Sequence, residues 1–459
     1  MRQADSNRYF FGLGTIGRDM FYTMVSMYLL HYLTEVLNLP DDTMWGMTLI
    51  LTVLRVFDAL NDPLMGLMVD NTRSRFGKFK PNIAIGALLS ALFMLPMFSD
   101  FGLSGLGYMA LFALCYLGWD IAYGINDIAY WSMLPALSLD QKEREKTGAF
   151  ARICGNIGMY AVVVGILPLT GMLTQALGSA RSAWFYFALA AALMMLLFQM
   201  FTLFGVREQQ RSFRQEEKTS LRELFTVILR NDQLLITTLS MGLFMIGYMT
   251  TTTFGTYFFK YAYGNEDMYA VFALVLGVAQ LTALSVFPLF SKRFDRKTLY
   301  RGATVLVLLG YAVFFFSPMQ MLPIAIAGLL MFIGQAFIQL LMLMFLADTI
   351  EYGQLKLRRR HESITFSVQP LINKLGGAVA SGIVGATVIL SGINSAASAA
   401  DVRPEGIQLM KAAMLILPLA CILLGYFVYA RYYKIDEQRY QQILVELRQR
   451  GDIRDEVEA

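Results

Sequence analysis

Apolar residues arrive in runs of about twenty to thirty, and short polar stretches separate them along nearly the whole chain. At ~1.5 Å per helical residue, a run of about 20 residues crosses the hydrocarbon of a bilayer. Twelve such runs are readable, at approximately 9–33, 43–70, 81–99, 106–136, 148–175, 182–206, 232–260, 267–291, 299–317, 321–351, 363–392 and 408–432. In lipid a backbone must bond to itself, which leaves helices or closed barrels. These runs are too long and too continuously apolar for barrel strands. The pattern therefore predicts an all-α membrane protein with twelve transmembrane helices and no separate soluble domain.

The polar connections carry the orientation. Lys and Arg crowd every second connection: Arg73, Arg75, Lys78 and Lys80; Lys142, Arg144 and Lys146; Arg207 to Arg230; Lys292, Arg293, Arg296 and Lys297; and Lys356 with Arg358, Arg359 and Arg360. The other connections hold few, namely Arg181, Lys260 and Arg403. The basic side is expected to be cytoplasmic, which puts both termini there. The basic tract after the second run, Asp70 to Lys78, has a counterpart after the eighth, Ser291 to Lys297. The chain then divides into an N-terminal six-helix half (1–206), a cytoplasmic central loop (207–231), a C-terminal half (232–432) and a cytoplasmic tail (433–459). Two six-helix halves are the plan of the major facilitator fold.

Composition narrows the class further. Of 459 residues, 56% are hydrophobic and only 16% charged, against about a quarter charged in soluble domains. No small-residue cleavage site follows the first run, so that run is expected to serve as its own insertion signal. Cys115, Cys154 and Cys421 lie in apolar runs and form no disulfide or metal pattern, and His31 and His361 are far apart. The net charge of +4 gives no reason to expect nucleic acid, because the basic residues sit at membrane edges. No P-loop, Gly-x-Ser-x-Gly or His-Glu-x-x-His pattern occurs, so neither ATP-driven transport nor a common hydrolase is supported, and no enzyme activity or cofactor is expected.

The charges that remain inside the runs are the candidate chemistry, since each costs at least ~2.5–3.5 kcal/mol at mid-membrane. Asp58 and Asp62, four apart, share one helix face with Arg55 three residues before, and Asn61 lies beside them. A monovalent cation would relieve the repulsion between the two acids. The alternative is a structural Arg–Asp pair, with Asp62 capping a kink before Pro63. Arg18 and Asp19 are sequence neighbours that do not share a face, so each is expected to have another partner. Asp120 and Asp127 fall on one face that Trp131 continues. A carboxylate beside an indole suits a sugar, taking hydroxyls on the acid and the C–H face on the ring. The alternative is an interfacial Trp with Asp127 in a salt bridge. Arg152 opens the fifth run, and Lys374 is the basic residue deep in the C-terminal half. Asp19, Asp58, Asp62, Asp120 and Asp127 outnumber Arg18, Arg55, Arg152 and Lys374 by one. A site so composed should attract one Na⁺, Li⁺ or H⁺. Asp348 and Glu351, before Arg358 to Arg360, read as a salt-bridged gate or a solvated helix end.

In Arg55-Val-Phe-Asp-Ala-Leu-Asn-Asp-Pro-Leu-Met-Gly66, Thr72-Arg-Ser-Arg-Phe-Gly-Lys-Phe-Lys-Pro81, Asn126-Asp-Ile-Ala-Tyr-Trp-Ser132, Asp140-Gln-Lys-Glu-Arg-Glu145 and Ala347-Asp-Thr-Ile-Glu-Tyr-Gly353, the chain resembles the glycoside–pentoside–hexuronide:cation symporter family. The resemblance covers nearly the whole chain. It implies cation-coupled symport of a sugar or glycoside (H⁺ or Na⁺/Li⁺) by a bacterial inner-membrane protein, expected to be a monomer. It also implies that Asp58 and Asp62 hold the cation, and that Asp19, Asp127, Trp131 and Arg152 bind sugar with Arg18 beside them. The resemblance further implies that Lys374 lies near the cation site and supports coupling. The chain departs from the family's melibiose carrier at four places. Gly124 stands for a threonine that ligates Na⁺, which removes one oxygen and shifts the expectation toward H⁺. Asp120 replaces a glycine, Ser26 a tyrosine and Gln339 a tryptophan. The rival readings are an uncoupled uniporter or exchanger, and a non-transporting membrane sensor.

Overall fold

In the computed structural model, residues 3–37, 39, 41–99, 101–207, 227–265, 268–393 and 402–453 are described. The described chain is helical throughout. Twelve long helices run in order: α1 (Gln3–His31), α2 (Asp41–Asp70), α3 (Lys80–Met97), α4 (Gly105–Leu137), α5 (Gln141–Leu177), α6 (Ala180–Met200), α7 (Asp232–Tyr257), α8 (Met268–Ser291), α9 (Arg296–Phe316), α10 (Met321–Leu357), α11 (Glu362–Leu390) and α12 (Pro404–Tyr432). A shorter α13 (Glu437–Gln449) follows. Among the described residues, ten helices, α3 to α12, are long and apolar enough to cross a membrane. The two others, α1 and α2, are long as well but carry Arg18 and Asp19, or Asp58 and Asp62. The candidate site charges outside α1 and α2 lie on α4 (Asp120 and Asp127), α5 (Arg152) and α11 (Lys374).

Several helices outrun their apolar runs, because backbone bonding continues past the lipid boundary. α5 starts at Gln141, capped by the Asp140 carboxylate, which accepts from the Lys142 backbone N–H at 3.0 Å. α10 continues to Leu357, where Arg358 takes a left-handed conformation. α2 runs unbroken through Pro63, so Asp62 does not cap a helix end there.

The chain forms two compact units: unit 1 is Met1–Leu224 with His361–Ser367 and Ile453–Ala459, and unit 2 is Phe225–Arg360 with Val368–Asp452. In unit 1, α1 packs on α5 and α6, α4 on α2 and α3, and α3 on α6. In unit 2, α7 packs on α12, α10 on α8 and α9, and α9 on α12. The pairings third-with-fourth, second-with-fourth, first-with-sixth and third-with-sixth recur six helices on. Small residues permit the closest crossings, as in other membrane bundles. A Cβ on Gly86 of α3 would lie 2.7 Å from the Ala122 carbonyl of α4, and one on Gly334 of α10 would lie 2.7 Å from the Ala303 carbonyl of α9.

α13 is the ordered part of the tail. Tyr440, Ile443, Leu444 and Leu447 form its buried stripe, and it packs on α10. Asp436 caps it and stays below the usual carboxylate range, chiefly through the Arg439 backbone N–H, with further help from Lys297.

Candidate functional site

α1 is pressed against α5 by a face of small and hydroxylated residues. Thr15 donates to the Ala151 carbonyl at 2.8 Å. A Cβ on Gly158 would collide with the Ile16 carbonyl, and one on Gly155 with the Asp19 carboxylate. Gly155 is therefore what lets Asp19 lie against α5.

Arg18 is the hub of unit 1. Its Nη1 donates to Asp127 Oδ1 at 2.8 Å and its Nη2 to Asp19 Oδ1 at 3.0 Å. Arg18 thus has the further partner expected for it, Asp127, and its long guanidinium stem also curls back onto its own neighbour Asp19. The guanidinium also lies over Tyr130 at 4.7 Å and Trp131 at 5.1 Å, and Arg18 is only 2% exposed. The Arg152 guanidinium lies over Trp131 at 4.4 Å, and it interacts with the charges of Asp19 and Asp127. Trp131 is buried among these cations rather than placed in an interfacial belt. The Asp19 and Asp127 side chains keep 27% and 24% exposure. Two carboxylates are thus aimed by one sealed cation and still present oxygen to an incoming hydroxyl.

On α2, Asp62 and Asn61 are buried and Asp58 is half-buried. The Arg55 side chain lies outside the described residues. On α4, Asp120 is buried beside Trp119. A residue that sequence reasoning missed lies within electrostatic reach of these acids. Tyr22 interacts electrostatically with Asp58, Asp127, Asp120 and Asp62 together. Its ring stacks on Tyr123 at 5.0 Å and near Trp119 at 6.3 Å. It is 44% exposed. The available signal was helical spacing, since Tyr22 lies four residues after Arg18 and three after Asp19. Gly124 leaves room on α4: a Cβ there would meet only Met65 Cγ at 3.9 Å. Among the described residues no cluster of three or more His, Cys, Asp or Glu converges as a metal site. Lys374 belongs to unit 2, half-buried on α11.

Two ionic clasps sit near the helix ends on the basic side. In unit 1 the Asp70 carboxylate, at the end of α2, accepts the Ser363 and Ile364 backbone N–H groups at 3.0 and 2.9 Å. It supplies the first turn of α11 with a cap from another helix. Lys78 bridges Asp70 at 2.6 Å and Glu362 at 2.9 Å. Burial opposes the charge on Lys78, but Asp70 and Glu362 outweigh it and raise its pKa. In unit 2, Arg360 donates through both terminal nitrogens to Glu351 at 3.1 Å, and Arg296 pairs with Asp348. Both acids are fully buried, which corrects the reading of a solvated helix end. The Arg296 partner was not foreseen, because it comes from another helix.

These helices and paired charges define a polytopic solute carrier of the major facilitator class. The chain belongs to the MFS/sugar transport protein family, whose model matches residues 10–437. It is 33% identical to a lactose permease of Lactobacillus delbrueckii subsp. bulgaricus over 97% of this chain and 73% of that one. It is 32% identical to a raffinose carrier protein of Pediococcus pentosaceus, over 96% of this chain and 71% of that one. Identity to a glucuronide carrier protein homolog of Escherichia coli is 25%, over 97% and 96% of the two chains. Its fold matches FucP, a major facilitator transporter in the outward conformation, with a TM-score of 0.65 at 12% identity, covering 95% of this chain and 99% of that one. The match to the proton:xylose symporter XylE has a TM-score of 0.63 at 13% identity, covering 96% and 98%. The resemblance to the glycoside–pentoside–hexuronide symporters is thereby established. The protein is a sugar transporter, not an enzyme, and a multi-pass protein of the bacterial inner membrane.

Proposed function

We propose that the protein is a symporter that moves a sugar or glycoside with H⁺ or Na⁺/Li⁺ by alternating access, using twelve spans with both termini cytoplasmic. The observation that supports this best is the Arg18 hub, whose guanidinium holds Asp19 at 3.0 Å and Asp127 at 2.8 Å beside Trp131 while both carboxylates stay partly exposed. In this reading the cation binds at Asp58 and Asp62, with Asn61 as a neutral ligand. Asp19, Asp127, Arg18, Arg152 and Trp131 hold the sugar, and Asp120 adds an acid between the two groups. Lys374 is assigned to coupling on the resemblance alone, and Arg55 on its spacing three residues before Asp58. Filling the cation site removes negative charge close to the sugar carboxylates. The sugar tightens cation binding by the same factor, because coupling is reciprocal.

One positive charge crossing ~100 mV supplies about 2.3 kcal/mol, or roughly 50-fold accumulation of sugar. The lactose and raffinose carriers among the relatives make a galactoside the first substrate to try. The test is uptake by vesicles under imposed H⁺ or Na⁺ gradients. Wild type should concentrate sugar, whereas Asp62→Asn should only equilibrate it. Concentrative uptake retained by Asp62→Asn would refute the cation assignment. Uptake by wild type that ignores both gradients would favour the uniporter.

A further inference from the structure

Tyr130 stands on α4 three residues after Asp127 and beside Trp131, and it is wholly buried. A phenol sealed inside a membrane span must bond its hydroxyl within the protein. That of Tyr130 donates to the Phe11 carbonyl of α1 and lies 3.3 Å from the Thr202 hydroxyl. Thr202 in turn donates to the Phe10 carbonyl at 3.1 Å. It belongs to the π-helical turn Phe201–Gly205, which follows α6. Gly14 leaves the space for both hydroxyls, since a Cβ there would collide with each. The hydroxyl end of Tyr130 is thus a pin that joins α1, α4 and the end of α6.

The ring meets a charge. The Arg18 guanidinium carbon lies 4.7 Å from the ring centroid, and Phe11 stacks on the ring at 4.6 Å and 27°. Phe11 and Arg18 are seven residues apart, which puts them on one face of α1. Helical side chains lean toward the N-terminus, so Arg18 reaches back over the turn against which Tyr130 lies. A guanidinium is planar and its N–H groups point in fixed directions. Whatever fixes its plane also fixes where Asp127 Oδ1 and Asp19 Oδ1 are held, at 2.8 and 3.0 Å. Arg18 is only 2% exposed, and a cation sealed from water gains most from the face of a ring.

We propose that Tyr130 is a positioning residue for carbohydrate binding: its ring seats Arg18, which aims Asp19 and Asp127. This rests on the reading of those two carboxylates as sugar ligands. Tyr130 itself is sealed, so it acts on the sugar only through Arg18. Its hydroxyl holds α1 against α4 and the end of α6 and contributes to folding. The two ends of one side chain therefore carry separable roles, the ring setting affinity and the hydroxyl setting stability.

The experiment is sugar counterflow in vesicles, which needs no ion gradient, with lactose, raffinose and melibiose as probes, beside melting curves in detergent. Tyr130→Phe and Thr202→Val should lower the melting temperature and leave sugar KM within about twofold of wild type. Tyr130→Leu should raise KM about tenfold for one lost cation–ring contact, with the maximal exchange rate kept. In an Arg18→Gln background, or Arg18→Lys where that variant does not reach the membrane, it should raise KM no further, because residues that act through one contact are not additive. Unchanged KM in Tyr130→Leu overturns the inference. So does an equal rise in Tyr130→Phe, or a rise that multiplies with that of the Arg18 variant. Tyr130→Met replaces Tyr130→Leu if the latter is absent from the membrane, and absence of both also overturns it, since the residue is then a folding element. Asp127→Asn separates the two levels. Unaltered KM in that variant, or no exchange of any probe by wild type, counts against the sugar-site reading instead. The seat is then read from melting alone: the further drop from Tyr130→Phe to Tyr130→Leu should be smaller in the Arg18 variant than in wild type, and equal drops refute it.

Discussion

Arg18 shows how one side chain can organise two helices. Its guanidinium reaches Asp19 on its own helix and Asp127 on α4, so both carboxylates are oriented before any ligand arrives. Two glycines nearby lead to opposite expectations. Gly155 touches Asp19 so closely that Gly155→Ala must displace the carboxylate or part α1 from α5. Sugar KM should rise at least about tenfold, the equivalent of ~1.4 kcal/mol, as read in counterflow. Gly124 has open space around it, so Gly124→Thr should fold normally and place a hydroxyl near α2. The expected outcome is stronger Na⁺ stimulation of uptake relative to H⁺; a poorly expressed Gly124→Thr, or unaltered ion preference, would count against the site as drawn. Asp58, Asp62, Asp127 and Trp131 were legible as candidates because charge and indole stand out in apolar runs. Tyr22 was not, because an isolated polar aromatic in such a run has no distinctive signature until neighbours from other helices surround it.

At the scale of elements, the join between α2 and α11 is the most directly testable. Asp70 caps the first turn of α11, and Lys78 ties Asp70 to Glu362. Gly66 makes room, since a Cβ there would lie 2.6 Å from the Ser363 carbonyl. Asp70→Ala leaves two backbone N–H groups without their acceptor and should cost on the order of 2 kcal/mol, seen as a lower melting temperature in detergent. For Lys78 the folded-state pKa is raised. Its contribution is then complete below about 10.5, the ordinary lysine value, and fades only as pH climbs through the raised one. Lys78→Met should therefore lower the melting temperature equally at pH 6 and pH 8. A difference between the two would mean that another group titrates in the clasp. Helix positions were readable from hydrophobic runs, but helix ends were not: α5 and α10 extend as helices beyond lipid contact.

For the whole molecule, the distribution of Lys and Arg makes a topological statement that cysteine labelling can check. Cys115 and Cys154 are buried and Cys421 half-buried, so wild type should resist a membrane-impermeant maleimide. Ser104→Cys, before α4, should label from outside intact cells. Ser74→Cys, in the basic loop after α2, should label only after permeabilisation. The reverse pattern would invert the orientation.

Sequence by itself determined the class. Long apolar runs admit only helices in a bilayer, basic loops point one way, and acids sunk in those runs stand out as candidates for a site. These are properties of single segments, and single segments are what hydropathy reads. Tertiary structure alone decided the partnerships: Arg18 with both Asp19 and Asp127, Asp348 with Arg296, and Asp70 with the start of α11. Most of these join residues tens or hundreds of positions apart, and which helix faces which is set by side-chain packing that no local pattern records.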